Sequence, residues 1–241
     1  MKRFLVASLA AFALGLAPSF VPGSAHADTA VFDLKVRGLI LGEVTLADTV
    51  GGGRYAVSGL IKSTGLAAMI RNFSYTGKTQ GALMRGVPAP IRYEEVADTG
   101  RRRSEAVIDY TDGVPKLLRY TSPKDAGPDS PDPMTQGGTV DPLSAIWALL
   151  RDVPPARACD LDLAIFDGKR RSSIKLRATS ASDGLPRCAG VYKRLQGFTA
   201  RETSRHTQFD FIVTYSAKGQ MLRAGSMAFD SFYGTAEIIR R

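Results

Sequence analysis

Residues 30–61, AVFDLKVRGLILGEVTLADTVGGGRYAVSGLI, alternate in polarity from one position to the next rather than repeating at helical spacing. Ala30, Phe32, Leu34 and Val36 fall on one side, with Val31, Asp33, Lys35 and Arg37 between them. Successive side chains of an extended chain point to opposite faces, so this is the pattern of a strand with one face buried. Ile40, Gly42, Val44 and Leu46 continue it. Gly51-Gly52-Gly53 supplies a turn, and Tyr55, Val57, Gly59 and Ile61 read as the returning strand.

The same signal recurs downstream. Strands are expected around Phe73–Thr79, Ile91–Ala97, Arg102–Tyr110 and Lys116–Tyr120, the last two joined by the hairpin dipeptide Asp112-Gly113. Asp167-Gly168 joins Leu161–Phe166 to Arg170–Ala178 in the same way. Thr207–Tyr215 turns at Lys218-Gly219 into Met221–Phe229, and Phe232–Ile239 follows. Roughly eleven strands linked by tight turns imply a mainly β, antiparallel meander.

Helical signals are few. Ser63–Arg71 fits a short helix capped by Ser63 or Thr64, with Leu66, Met69 and Ile70 on one face. Asp141 caps a second helix, Pro142 occupies its first position, and Leu143, Ile146, Trp147 and Leu150 form an apolar stripe. This helix is expected on the concave side of a curved sheet, anchored by Trp147, the sole tryptophan. Before it, SPKDAGPDSPDPMTQGGT (residues 122–139) is rich in Pro, Asp and Gly and reads as an exposed loop. Strands of one style flank this loop, which favours a single domain over residues 28–241 rather than two joined by a linker.

Residues 1–27, MKRFLVASLAAFALGLAPSFVPGSAHA, have the layout of an export signal. Lys2 and Arg3 precede an apolar stretch, Pro18 and Pro22 break it, and Ala25 and Ala27 place small residues before a cut between Ala27 and Asp28. The apolar stretch is short of the roughly 20 residues that a membrane-spanning helix needs. No Cys stands at the cut to carry a lipid, so the expected destination is the periplasm as a soluble protein. The formal charge of +9 becomes +7 without Lys2 and Arg3, which suits an anionic membrane surface or simple solubility. In that compartment nucleic acid is not an expected partner. Two cysteines, Cys159 and Cys188, allow one intramolecular bridge, whose loop of about 30 residues would stabilise by roughly 3–4 kcal/mol.

Catalytic motifs are scarce. After cleavage His206 is the one histidine, it lies in a charged stretch, and no G-x-S-x-G elbow accompanies it. One histidine and two bridged cysteines do not make a zinc site, and no metal or other cofactor is expected. Thr76-Gly77-Lys78-Thr79 imitates the end of a phosphate-binding loop, but Asn72 stands where the first glycine is needed. Asp129, Asp132 and Asp141 lack the alternating frame of a calcium loop. Basic clusters at Arg101–Arg103, Lys169–Arg171 and Arg240-Arg241 abut turns or the terminus, where solvated charge blunts sheet edges.

Gly38–Glu43 (GLILGE), the DPLSAIWALLR helix (141–151), the FDGKRR hairpin (166–171) and the late cysteine pair together resemble the family called domain of unknown function 3108. That family is found in exported envelope proteins of Gram-negative bacteria. The resemblance implies a strongly curved sheet forming an incomplete barrel, and it implies no catalytic residues. The expected function is non-catalytic binding of a lipid or hydrophobic peptide in envelope maintenance, in a groove near Leu143, Ile146 and Trp147. Two alternatives accompany it. One is a hydrolase of envelope polymers using paired carboxylates. The other is a docking partner of another envelope protein, engaged through a sheet edge or the 122–139 loop.

Overall fold

The computed structural model describes residues 25–70, 72–121, 130–179, 184–204, 206–231 and 234–241. Fourteen strands among them form one sheet. The first seven are β1 (His26–Val36), β2 (Leu39–Gly51), β3 (Arg54–Ser63), β4 (Ser74–Met84), β5 (Val87–Asp98), β6 (Arg103–Thr111) and β7 (Val114–Thr121). The second seven are β8 (Thr139–Val140), β9 (Asp162–Phe166), β10 (Arg171–Thr179), β11 (Arg187–Gln196), β12 (Gln208–Lys218), β13 (Met221–Ser231) and β14 (Gly234–Arg240). Both halves are meanders, and they join where β14 pairs with β1. All neighbours are antiparallel except β8 and β9. The expected incomplete barrel is therefore the fold, with β7 and β8 at its edges.

Helix α1 (Gly65–Ile70) links β3 to β4, α2 (Pro142–Leu150) lies inside, and α3 (Ala200–Thr203) sits between β11 and β12. The turns alternate between two ends. The upper rim carries 37–38, α1, 99–102, 167–170 and α3, and the lower rim carries 52–53, 85–86, 112–113 and 219–220. Asp112-Gly113 forms the expected tight hairpin with both residues at positive φ, 51° and 75°, matching the twist of paired strands.

Three segments differ from their sequence reading. Strands β8 and β11 escaped it altogether. Met69 and Ile70, on the expected apolar face of α1, are 83% and 88% exposed, because the short helix lies on the rim. The Leu66 side chain lies outside the described residues.

The edges meet at a seam that polar groups help to close. Residues 122–129 of the expected loop lie outside the described residues, whereas Gln136 and Thr139 are buried. The Gln136 side-chain oxygen accepts from Arg171 at 2.9 Å, and the Gly138 N–H donates to the Gly113 carbonyl at 2.9 Å. Of the expected export signal, residues 1–24 lie outside the described residues. The anticipated cut falls within β1, where Ala27 and Asp28 pair with Thr49 and Asp48.

Helix α2 packs inside the barrel and fixes its lower end. Asp141 caps it, with Oδ1 accepting from the Ser144 N–H at 2.8 Å and Oδ2 from the Thr79 and Ser144 hydroxyls. Trp147 stacks on Tyr55 at 4.9 Å between ring centres and donates to Asp48, while the Arg151 guanidinium covers its ring at 4.7 Å. Arg151 also donates to the Gly86 carbonyl on the lower rim. Beyond α2, Val153 exchanges two 2.8 Å backbone bonds with Leu222, and Asp152 ion-pairs with Lys218, Arg223 and Arg240. Cys159 and Cys188 form the anticipated disulfide, tying this segment to β11. Arg240 is thus a buried clamp, and Arg241, though exposed, pairs with Asp33 and Glu43, so both C-terminal arginines are engaged in ion pairs.

Candidate functional site

With the lower end closed, the space left inside lies between α2 and the upper parts of β9–β13. It is an apolar pocket of ≈ 470 Å³, within the range typical of small-molecule sites. Pro142, Ala145, Ile146 and Leu149 form its helical wall. Ile165 and Ile174, then Tyr192, Phe209, Phe211 and Phe229, form the sheet wall. These side chains alternate along their strands with outward ones, so one face of each strand supplies the lining. A second depression of ≈ 510 Å³, lined by Thr29, Ser58, Lys78, Gln80 and Arg92 among others, is more polar and lies on the outer face of β1–β5.

Polar groups gather at the rim end of the inner pocket. Arg194 lines it, held by its own donation to the Glu202 carbonyl at 2.7 Å and to the His206 carbonyl at 3.1 Å. Its guanidinium lies 4.7 Å from the Phe209 ring centre and 5.4 Å from that of Phe198. Arg170 covers Phe198 at 5.2 Å and pairs with Glu202 at 2.9 Å. A capping box between Thr199 and Glu202 holds α3 in place over this cluster. The Nε–H groups of Arg194 and Arg170 are buried without an acceptor. A buried donor left unpaired costs about 1–3 kcal/mol, more for a charged group, so Arg194, which lines the pocket, favours an incoming anion.

The three residues singled out from the sequence divide across the helix. Ile146 lines the pocket. Leu143 and Trp147 are 1% exposed on the other side of α2, where Leu143 lies against Gly59, whose missing Cβ leaves room for it. Four of the five strands behind the pocket's sheet wall are among those expected, and β11, which adds Tyr192 and Arg194, is not. Cys188, Gly190, Tyr192 and Arg194 face inward there while Val191 and Leu195 face outward, an inversion of the usual polarity. Gly190 is small because the Phe211 ring occupies the place of its side chain, a Cβ there lying 2.1 Å from the ring.

Three carboxylates do converge inside the barrel, as a paired-carboxylate reading requires, but two are committed. Asp141 is wholly buried and both its oxygens accept hydrogen bonds, while burial pushes its carboxyl above the usual range. Asp167 spends Oδ1 on the N–H groups of Lys169 and Arg170, at 2.8 and 2.6 Å, capping its own turn. Glu95 accepts from Tyr93, which also bonds Tyr75. Burial raises Glu95 to about 7, with the charges of Asp167 and Asp141 adding to the effect and the Tyr93 bond opposing it. Among the described residues no three His, Cys, Asp or Glu side chains form a metal-holding group. Asp132 caps a 3-10 turn, Asp129 lies outside the described residues, and His206 is exposed near Phe209. Thr76–Thr79 lie within β4, where Thr79 belongs to the Asp141 network.

Comparison with curated proteins gives no match. Among solved structures, a β-barrel-like protein of domain of unknown function DUF1849 from Brucella abortus is similar, with a TM-score of 0.50. The sequences are 11% identical, and the alignment covers 92% of this chain and 96% of that one, a likeness of fold alone. A family model described as protein of unknown function (DUF3108) matches residues 31–192. That span runs from β1 into β11 and contains α2, the disulfide and much of the pocket wall. The chain therefore belongs to the DUF3108 family of proteins of unknown function.

Proposed function

We propose that this protein is a non-catalytic binding protein of the cell envelope that holds an amphipathic ligand, its apolar chain under α2 and its anionic head at Arg194. The single observation that carries this reading is the pocket itself, apolar along its length, with Arg194 and a turn-capping Asp167 at its rim end. Export to the periplasm belongs to the same proposal and is supported by the signal layout of residues 1–27 and by the Cys159–Cys188 bridge, which suits an oxidising compartment. A fatty acid or a single acyl chain of a lipid has the required chemistry.

The ordinary alternative for an apolar lining is a core with no occupant. Ligand chemistry separates the two. Native mass spectrometry of protein isolated from cells should show a co-purifying lipid mass that Ile146→Trp shifts to shorter chains while the variant stays folded. An empty wild-type pocket that also fails to take up a fluorescent fatty acid would refute the proposal.

A further inference from the structure

Large apolar side chains on a protein surface are normally scattered. Here four gather at one place. Leu39 and Ile40, beside the 37–38 turn, are 67% and 49% exposed, and Met69 and Ile70 of α1 are 83% and 88% exposed. The Thr64 N–H donates to the Leu41 carbonyl at 3.0 Å, so α1 is fastened to β2 and the two apolar pairs form one patch. Nothing in the fold needs them outside, since a six-residue helix at the rim serves equally well with polar residues on that face.

The same rim is basic. Arg37, Arg101, Arg102 and Arg201 are exposed there, with Lys169 beside them. Of the acidic groups at this rim, Glu202 pairs with Arg170 and Glu105 pairs with Arg103 and Arg119, while Asp98, Asp210 and Asp230 accept only neutral donors, from Gly100, Gln208 and Thr235, and the basic residues outnumber them. The pocket also reaches its polar end at this rim. From this combination we infer that the upper rim is a membrane-docking face, with Leu39, Ile40, Met69 and Ile70 entering an anionic phospholipid bilayer and the arginines holding its phosphates. Apolar insertion alone would give a patch with no preferred charge around it, and charge alone would leave the four side chains unexplained. The inference rests on the rim and not on the pocket's having a ligand.

The test is vesicle flotation of protein isolated from cells, with phosphatidylglycerol–phosphatidylcholine vesicles against phosphatidylcholine alone. The expected result is binding to the anionic vesicles only, weakened at least tenfold by Met69→Ser with Ile70→Ser and lost in about 0.5 M NaCl, where screening shortens to a few ångströms. Leu39→Ser with Ile40→Ser should weaken it similarly. Both double variants should keep the wild-type unfolding midpoint, since all four side chains are exposed. Ile146→Trp should leave flotation unchanged, which separates this inference from the pocket reading. Equal flotation by the double variants, equal binding to neutral vesicles, or no binding would overturn it. So would a concentration-dependent dimer that Met69→Ser with Ile70→Ser splits, which would make a second copy the occupant of the patch.

Discussion

Glu95 points into the barrel from β5, opposite Gly77 on β4 and Ala106 on β6, and is partly withdrawn from water. Its carboxyl titrates near 7 in the folded chain against an ordinary 4.5. The folded state therefore binds a proton that the unfolded state has released between those values, and stability falls as pH rises from about 4.5 to about 7. Above that window the buried charge costs about 3 kcal/mol, since each tenfold change in proton affinity is worth about 1.4 kcal/mol. Glu95→Gln should flatten this part of the stability–pH curve and raise the denaturation midpoint at pH 8. A variant that keeps the wild-type slope would show that other groups set it. Gly190→Ala tests packing at the same scale. A methyl group 2.1 Å from the Phe211 ring forces that ring to move, at a cost of about 1–3 kcal/mol in urea unfolding.

Among elements, α2 and its continuation decide which part of the barrel is core and which is pocket. The helix is legible because its punctuation is local: an Asp cap, a Pro at the first turn and apolar residues at helical spacing. The hairpins are legible for the same reason, since Asp112-Gly113 states its own turn. Strand β11 is not, because its inward residues were chosen by neighbours. Phe211 dictates Gly190, the disulfide dictates Cys188, and the pocket mouth holds Arg194, and none of these appears in β11's own pattern. Tyr192 and Arg194 were hidden with it, while Ile146 was within reach. Which side of α2 faces the pocket depends on Trp147 finding Tyr55 and Asp48, partners about 90 residues or more away in sequence. Met69 and Ile70 misled in the opposite direction, because spacing alone does not say whether a partner surface exists. The disulfide gives this scale its prediction. Cys159→Ser with Cys188→Ser, opening a loop with a sequence separation of 29, should lower unfolding free energy by about 3 kcal/mol at neutral pH, and an unchanged midpoint would contradict it.

At the scale of the whole molecule the barrel has two unlike ends. The lower one is shut by the Val153–Leu222 bridge, the Asp152 ion cluster and the disulfide. The upper one holds the pocket's polar groups, α3 and the exposed apolar patch. A carrier of amphipathic molecules needs this asymmetry, because chain and head must enter in a fixed order and from one side. Isothermal titration with fatty acids of increasing length tests it most directly. Each added methylene should strengthen binding by about 0.8 kcal/mol, roughly fourfold, until the ≈ 470 Å³ are filled, after which affinity should level off. Ile146→Trp should shorten the longest chain accepted, and Arg194→Gln should weaken acids at least tenfold while leaving the matching alcohols nearly unaffected. Affinity that ignores chain length, or that Arg194→Gln lowers equally for acids and alcohols, would contradict a pocket that holds a chain below and an anionic head at its rim.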